Sequence, residues 1–97
     1  MDESTDGTIE VTIFRGIDGV TENHMQAASR NVTPLLAEMP GFISRQFGAS
    51  EDGKYIDIVQ WADLESAKAA AEKVKGIPIC DAYFGLIDRD SMDFTVF

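Results

Sequence analysis

Gly41-Phe42-Ile43-Ser44-Arg45-Gln46-Phe47, then Lys54-Tyr55-Ile56-Asp57-Ile58-Val59-Gln60-Trp61, then Ala62-Asp63-Leu64-Glu65-Ser66-Ala67 is the stretch that decides the fold. β-Branched and aromatic residues make the first two runs strands. The loop between them, Ala49-Ser50-Glu51-Asp52-Gly53, is too long for a two-residue turn and suits a type I turn with glycine in the left-handed region. The second strand ends in the only Trp of the chain, and Asp63 stands where a helix N-cap belongs.

Upstream of the hairpin, Thr8 to Phe14 alternates, with Ile9, Val11 and Ile13 on one side and Glu10, Thr12 and Phe14 on the other, which predicts a strand. Gly16 and Gly19 end it. Thr21 is placed to cap a helix in which Val20, His24, Ala27, Ala28, Val32, Leu35, Leu36 and Met39 recur at helical spacing. Pro34 should kink that helix or restart it with Thr33 as a second cap, and Pro40-Gly41 close it.

Downstream, an alanine-rich helix is predicted from Leu64 to about Lys75, with Lys73 and Lys75 suiting its negative end and Gly76 stopping it. Ile77 to Ile87 is apolar but broken by Pro78 and Gly85, with room for a helical turn around Asp81 to Phe84. Ser91 to Phe97 alternates again and gives a last strand. The order β-α-β-β-α-β predicts a ferredoxin-like α+β fold: a four-stranded antiparallel sheet with both helices on one face. Residues 1–7 read as a flexible acidic tail and residues 8–97 as a single domain.

Two helices cover one sheet face only. The sets Ile9/Val11/Ile13, Ile56/Ile58 and Met92/Phe94/Val96 suit the covered face. The opposite parity then carries Phe14, Tyr55, Val59, Trp61 and Phe97, mixed with Glu10, Thr12, Asp57, Asp93 and Thr95. Aromatic rings of ~150–250 Å² each, at ~25 cal/mol per Å², are too much apolar area to leave wet. A second copy packed face to face is the expected cover, with Phe14, Tyr55, Asp57 and Phe97 in the dimer interface. Asp57 is expected to pair with Arg45 or a backbone donor, whereas either parity of strand 42–47 can face the helices unless a bulge intervenes.

Composition narrows the partners. At 97 residues one core is expected, and a formal net charge of −9 opposes both nucleic acid and anionic membrane surfaces. No apolar run approaches the ~18 residues that a membrane helix needs. The single cysteine, Cys80, has no internal disulfide partner, and no basic segment followed by an apolar one opens the sequence. A reducing cytoplasm is the expected compartment. One His, one Cys and scattered carboxylates show no metal-ligand spacing, and no glycine-rich phosphate motif follows a strand, so neither metal nor cofactor is expected.

Pro40-Gly41-Phe42, the run Tyr55 to Trp61 and the following Asp63-Leu64-Glu65-Ser66-Ala67 resemble the dimeric α/β-barrel superfamily, above all its antibiotic-biosynthesis-monooxygenase-type domains. The resemblance spans roughly residues 8–97. It implies a homodimer whose sheets form a shared barrel, with a small-molecule cavity between sheet and helices in each subunit. Members include cofactor-independent monooxygenases of polyketide-derived aromatics or quinols, haem-degrading enzymes and proteins of unassigned activity. Trp61 matches the tryptophan that ends the third strand in many members. The haem-degrading branch also uses an Asn on the first strand and a His after this Trp; Ile9 to Arg15 contains no Asn and no His follows Trp61. Haem degradation is therefore not expected.

His24, the only histidine, is the candidate base for a phenol or hydroquinone if it faces the cavity, and otherwise a packed helix residue. Trp61, Tyr83 and Phe84 are the candidate substrate-binding residues, with Tyr83 and Phe84 serving either as a lid or as a core plug. Cys80 reads as a buried, inert thiol. Three functions fit: a cofactor-independent monooxygenase of a small aromatic or quinol, a homodimer that binds a small apolar or aromatic molecule without turning it over, and a purely structural or interaction dimer with a filled cavity.

Overall fold

Helix faces rich in small side chains need large partners opposite them, and this decides which side of the sheet is covered. The computed structural model describes residues 7–97; the expected acidic tail lies, apart from Gly7, outside the described residues. Four strands, β1 (Thr8–Gly16), β2 (Phe42–Ala49), β3 (Lys54–Trp61) and β4 (Ile87–Val96), form an antiparallel sheet in the order β2-β3-β1-β4. Between them run α1 (Glu22–Ala37), α2 (Leu64–Lys73) and a short α3 (Pro78–Phe84). The ferredoxin-like α+β fold is as the alternation predicts, with α3 longer than the expected helical turn and β4 beginning before Ser91.

Both expected caps are in place. The Thr21 side chain accepts a hydrogen bond from the His24 N–H at 3.1 Å, and Asp63 accepts from the Ser66 N–H at 2.8 Å. The second cap expected at Thr33 is not used, because α1 runs through Pro34. Gly53 closes the hairpin at φ 89° as its turn requires. Gly41 stands at φ 84° where the chain turns into β2, and a Cβ there would collide with the Ser66 side chain on α2.

The covered face is the opposite of the one expected for β1 and β3. Phe14, Tyr55, Val59 and Trp61 are buried under the helices, whereas Ile9, Val11, Ile13, Ile56 and Ile58 point to the open side. Phe14 and Tyr55 stack at 5.6 Å, Phe47 and Tyr55 at 5.8 Å, and Tyr83 sets its edge on Phe14 at 6.2 Å. Buried Ser29 on α1 and Ala67 and Ala70 on α2 leave room for these rings. Strand alternation separates two faces but does not say which one the helices take. Volume matching across the layers does.

Two irregularities set the outer strands. A register shift between Phe42 and Ser44 turns Phe42, Arg45 and Phe47 toward the helices, which resolves the ambiguous parity of β2. A second shift, between Ile13 and Arg15, interrupts the β1–β4 ladder, and the Arg15 N–H there donates to Ser91 Oγ at 2.8 Å instead. The register Val11↔Thr95 and Thr12↔Phe94 puts Phe94 on the helix side, in keeping with expectation for β4, and puts Phe97 opposite Ile9 on the open side. No helix among the described residues is long and apolar enough to cross a membrane.

Candidate functional site

A cleft of about 410 Å³ lies between the sheet and the helices. Its floor is the inward row of β1, β2 and β3, namely Glu10, Thr12, Arg45, Asp57, Val59 and Trp61. Val32 and Leu36 of α1, Ala67 and Ala70 of α2 and Val74 at the C-cap of α2 form apolar walls, and Tyr83 and Phe84 of α3 face Phe94 of β4 across the remaining side. A second hollow of about 400 Å³ adjoins it toward Phe14, Ile87, Arg89 and Met92. The two hollows share Thr12, Asp57, Tyr83, Phe84 and Phe94. Each volume falls within the range of sites for small organic ligands.

Three polar centres organise the cleft: the Arg45–Asp57 pair, Tyr83 and Glu10. Arg45, its side chain only 2% exposed, donates from Nε to Asp57 Oδ1 at 3.0 Å and from Nη2 to Asp57 Oδ2 at 2.7 Å. Its Nη1 donates to the Ser29 carbonyl at 2.6 Å and to Thr33 Oγ1 at 2.9 Å, so Thr33 serves this arginine rather than a helix start. The guanidinium also lies 5.4 Å from the Tyr83 ring and 5.7 Å from that of Phe47. Burial works against its charge, but the Asp57 carboxylate more than offsets this and holds Arg45 above its ordinary pKa.

Tyr83 Oη donates to Asp57 Oδ2 at 2.7 Å. Burial, the Asp57 charge and this hydrogen bond together push the phenol far above its usual range. Tyr83 is therefore a neutral donor. Glu10 is the third polar group: Trp61 Nε1–H donates to its Oε1 at 2.9 Å. Partial burial raises the Glu10 pKa, the Trp61 hydrogen bond opposes that rise, and the nearby Asp57 charge adds to it; the net direction is upward.

The expected site residues separate cleanly. Trp61, Tyr83 and Phe84 are brought together around the cleft. Tyr83 is buried and plugs the aromatic core, while Phe84 is partly exposed at the rim, so the lid and plug readings divide between neighbours. His24 is exposed on α1 and lines neither hollow, because its side chain lies on the turn of the helix away from Met25, Ser29 and Val32. Of the four residues expected in a dimer interface, Phe97 is on the open face. Phe14, Tyr55 and Asp57 are turned inward and belong to the core and the cleft floor.

Glu10 and Phe94 were missed as cleft residues by sequence reasoning. Glu10 is the one carboxylate inside the β1 alternation, and its parity with Phe14 links it to the cleft once the covered face is known. The expected pairing of Asp57 with Arg45 is present. Cys80 is fully buried, and its thiol pKa is raised first by that burial, as an inert thiol requires.

No family model and no curated protein matches the chain. Among solved structures it is similar to SnoaB from Streptomyces nogalater, a cofactor-independent oxygenase, with a TM-score of 0.80 and 18% identity over 95% of this chain and 91% of that one. It is also similar to a protein from Nitrosomonas europaea proposed as an antibiotic biosynthesis monooxygenase, with a TM-score of 0.76 and 13% identity over 94% and 88% of the two chains. A dimeric ferredoxin-like protein of unknown function from Thermobifida fusca matches with a TM-score of 0.74 and 14% identity, over 94% and 89%. At these identities the likeness is one of fold: the chain has the ferredoxin-like fold of the antibiotic biosynthesis monooxygenase-like proteins.

Proposed function

We propose that this protein is a homodimeric, cofactor-independent oxygenase of a small hydroxylated aromatic or quinol held between sheet and helices. The observation that carries the reading is the cleft itself, in which the rings of Trp61, Tyr83, Phe84 and Phe94 and the apolar helix walls surround a floor bearing Glu10, Thr12, Arg45 and Asp57. A planar, electron-rich ring stacks in such a space. The fold shared with SnoaB supports oxygenase chemistry over other uses of the cleft.

In this chemistry the substrate supplies the electrons. A ring methylene made acidic by a conjugated carbonyl, as in anthrone or the keto tautomer of a quinol, loses a proton; its anion reduces dioxygen to a hydroperoxide on that carbon, and loss of water from it leaves one oxygen there as a carbonyl. The protein's part is to orient the ring, exclude bulk water and steer protons. Trp61, Tyr83 and Phe84 are the substrate-binding residues of this reading.

The second copy covers the open face of the sheet. Ile9, Ile13 and Phe97 are exposed there, with Val11, Ile56 and Ile58 half-buried between them. A contiguous apolar row of this kind marks an interaction surface. The dimeric ferredoxin-like neighbour supports a copy of the same chain as the occupant.

Oxygen consumption with 1,4-dihydroxynaphthalene and with anthrone tests the reading. Acceleration above the uncatalysed rate, lost when Trp61→Ala opens the cleft wall, is the expected result. Retention of an apolar ligand in native mass spectrometry without any acceleration favours the second reading, a binding dimer, which the apolar walls of the cleft also fit.

A further inference from the structure

We infer that Glu10 is the recognition group of the cleft: its carboxylate accepts the hydroxyl hydrogen of a phenolic ligand whose ring lies between Trp61 and Phe94. The inference rests on the cleft being a small-molecule site, and it adds the ligand class and the residue that selects it.

The geometry assigns this role by elimination among the polar groups around the cleft, where Thr12 offers only a neutral hydroxyl, a weaker acceptor than a carboxylate, and Lys75 only donors. Asp57 is occupied, since both its oxygens take Arg45 donors and Oδ2 also takes Tyr83 Oη. Arg45 spends Nε, Nη1 and Nη2 on Asp57, Ser29 and Thr33. Tyr83 donates its only O–H to Asp57. At Glu10, by contrast, Trp61 Nε1–H fixes Oε1, and no donor among the described residues reaches Oε2. No buried side-chain oxygen among the described residues lacks a partner, so Oε2 is accessible rather than sealed in the core, on a residue that lines the cleft. One oxygen is thus held while the other is presented.

The local chemistry suits a hydroxyl donor rather than a cation. A hydrogen bond to a charged acceptor is roughly twice as strong as a neutral one, and partial desolvation strengthens it. The groups facing Glu10 are Arg45 on β2 and Asp57 on β3, which neutralise one another, neutral Tyr83 on α3, and Lys75 just beyond α2 at the cleft edge. The lining residues from α1, Val32 and Leu36, and from β4, Phe94, are apolar. A carboxylate in this setting gains most from a neutral, acidic O–H. Its upward-shifted pKa makes it a better proton acceptor than an exposed glutamate.

The test compares binding of 2-naphthol with that of 2-methoxynaphthalene, which has the same ring but no hydroxyl hydrogen. Fluorescence titration of the wild-type protein and of Glu10→Gln gives four affinities. Glu10→Gln keeps the shape and leaves an amide oxygen for Trp61 Nε1–H, so unchanged binding of the methoxy probe reports an intact cleft. In the wild type, 2-naphthol should bind about tenfold tighter than its ether, equivalent to ~1.4 kcal/mol. That preference should fall below about twofold in Glu10→Gln. In the wild type it should also shrink as pH is lowered through the Glu10 titration, while Glu10→Gln stays flat. A tenfold preference surviving in Glu10→Gln, or none in the wild type while both probes bind, overturns the role of Glu10 and leaves the cleft reading standing. Failure of both probes to bind the wild type overturns the two together.

Discussion

Arg45 and Asp57 meet diagonally across β2 and β3 as a two-bond pair, with Nε–Oδ1 at 3.0 Å and Nη2–Oδ2 at 2.7 Å, inside the layer between sheet and helices. A buried ion pair of this kind contributes less to net stability than its hydrogen bonds suggest, because both charges have left water. The pair fixes Tyr83 of α3 and the Ser29 carbonyl of α1 to one point of the sheet.

Breaking the pair on one side should therefore cost more than removing it. Asp57→Ala leaves the arginine charge buried without its partner and should destabilise the fold by about 3–5 kcal/mol. The double variant Arg45→Met, Asp57→Leu should recover most of that loss. Urea denaturation of the three proteins checks the order. If the double variant is as unstable as Asp57→Ala, the pair is not the unit described.

Tyr55 and Tyr83 are the only tyrosines of the chain, and both phenols are pushed above their ordinary value, in each case chiefly by burial. Unfolded tyrosines ionise near ~10. Since the folded state resists that ionisation, these phenols support the fold fully below about pH 10 and progressively less as pH rises past it. Tyrosinate absorbance at alkaline pH should then rise together with loss of the near-ultraviolet circular dichroism signal. A separate tyrosinate step in folded protein would contradict the burial of both rings.

On the open side, Val11→Lys or Ile58→Lys puts a charge into the middle of the exposed row while leaving the aromatic core untouched. Sedimentation at micromolar concentration should show the wild type as a dimer and each variant as single copies with unchanged far-ultraviolet circular dichroism. Variants that remain dimeric would assign the contact to another surface.

His24→Ala is expected to change little. The helix cap uses the His24 backbone N–H, not its ring, and the side chain is exposed. Stability should stay within about 0.5 kcal/mol of the wild type. Aromatic-probe affinity and any oxygen uptake should be unaltered. A tenfold fall in uptake would return the ring to the reaction.

Strand alternation, the caps at Thr21 and Asp63, the Gly53 turn and the pairing of Asp57 with Arg45 were all readable in the chain, because each depends on neighbours in sequence or on the demand of a buried charge for its opposite. The side of the sheet that lies under the helices was not. Ile9/Val11/Ile13 and Glu10/Thr12/Phe14 are both plausible inner rows by period alone, and only the small residues Ser29, Ala67 and Ala70, brought across from two helices, select the aromatic one. That choice moved Phe14, Tyr55 and Asp57 from an interface to the interior, and it carried Glu10 to the hydrogen bond with Trp61 some fifty positions away in sequence. A two-residue period fixes relative orientation within a strand. Which row is buried is fixed by the volumes that other elements bring to meet it.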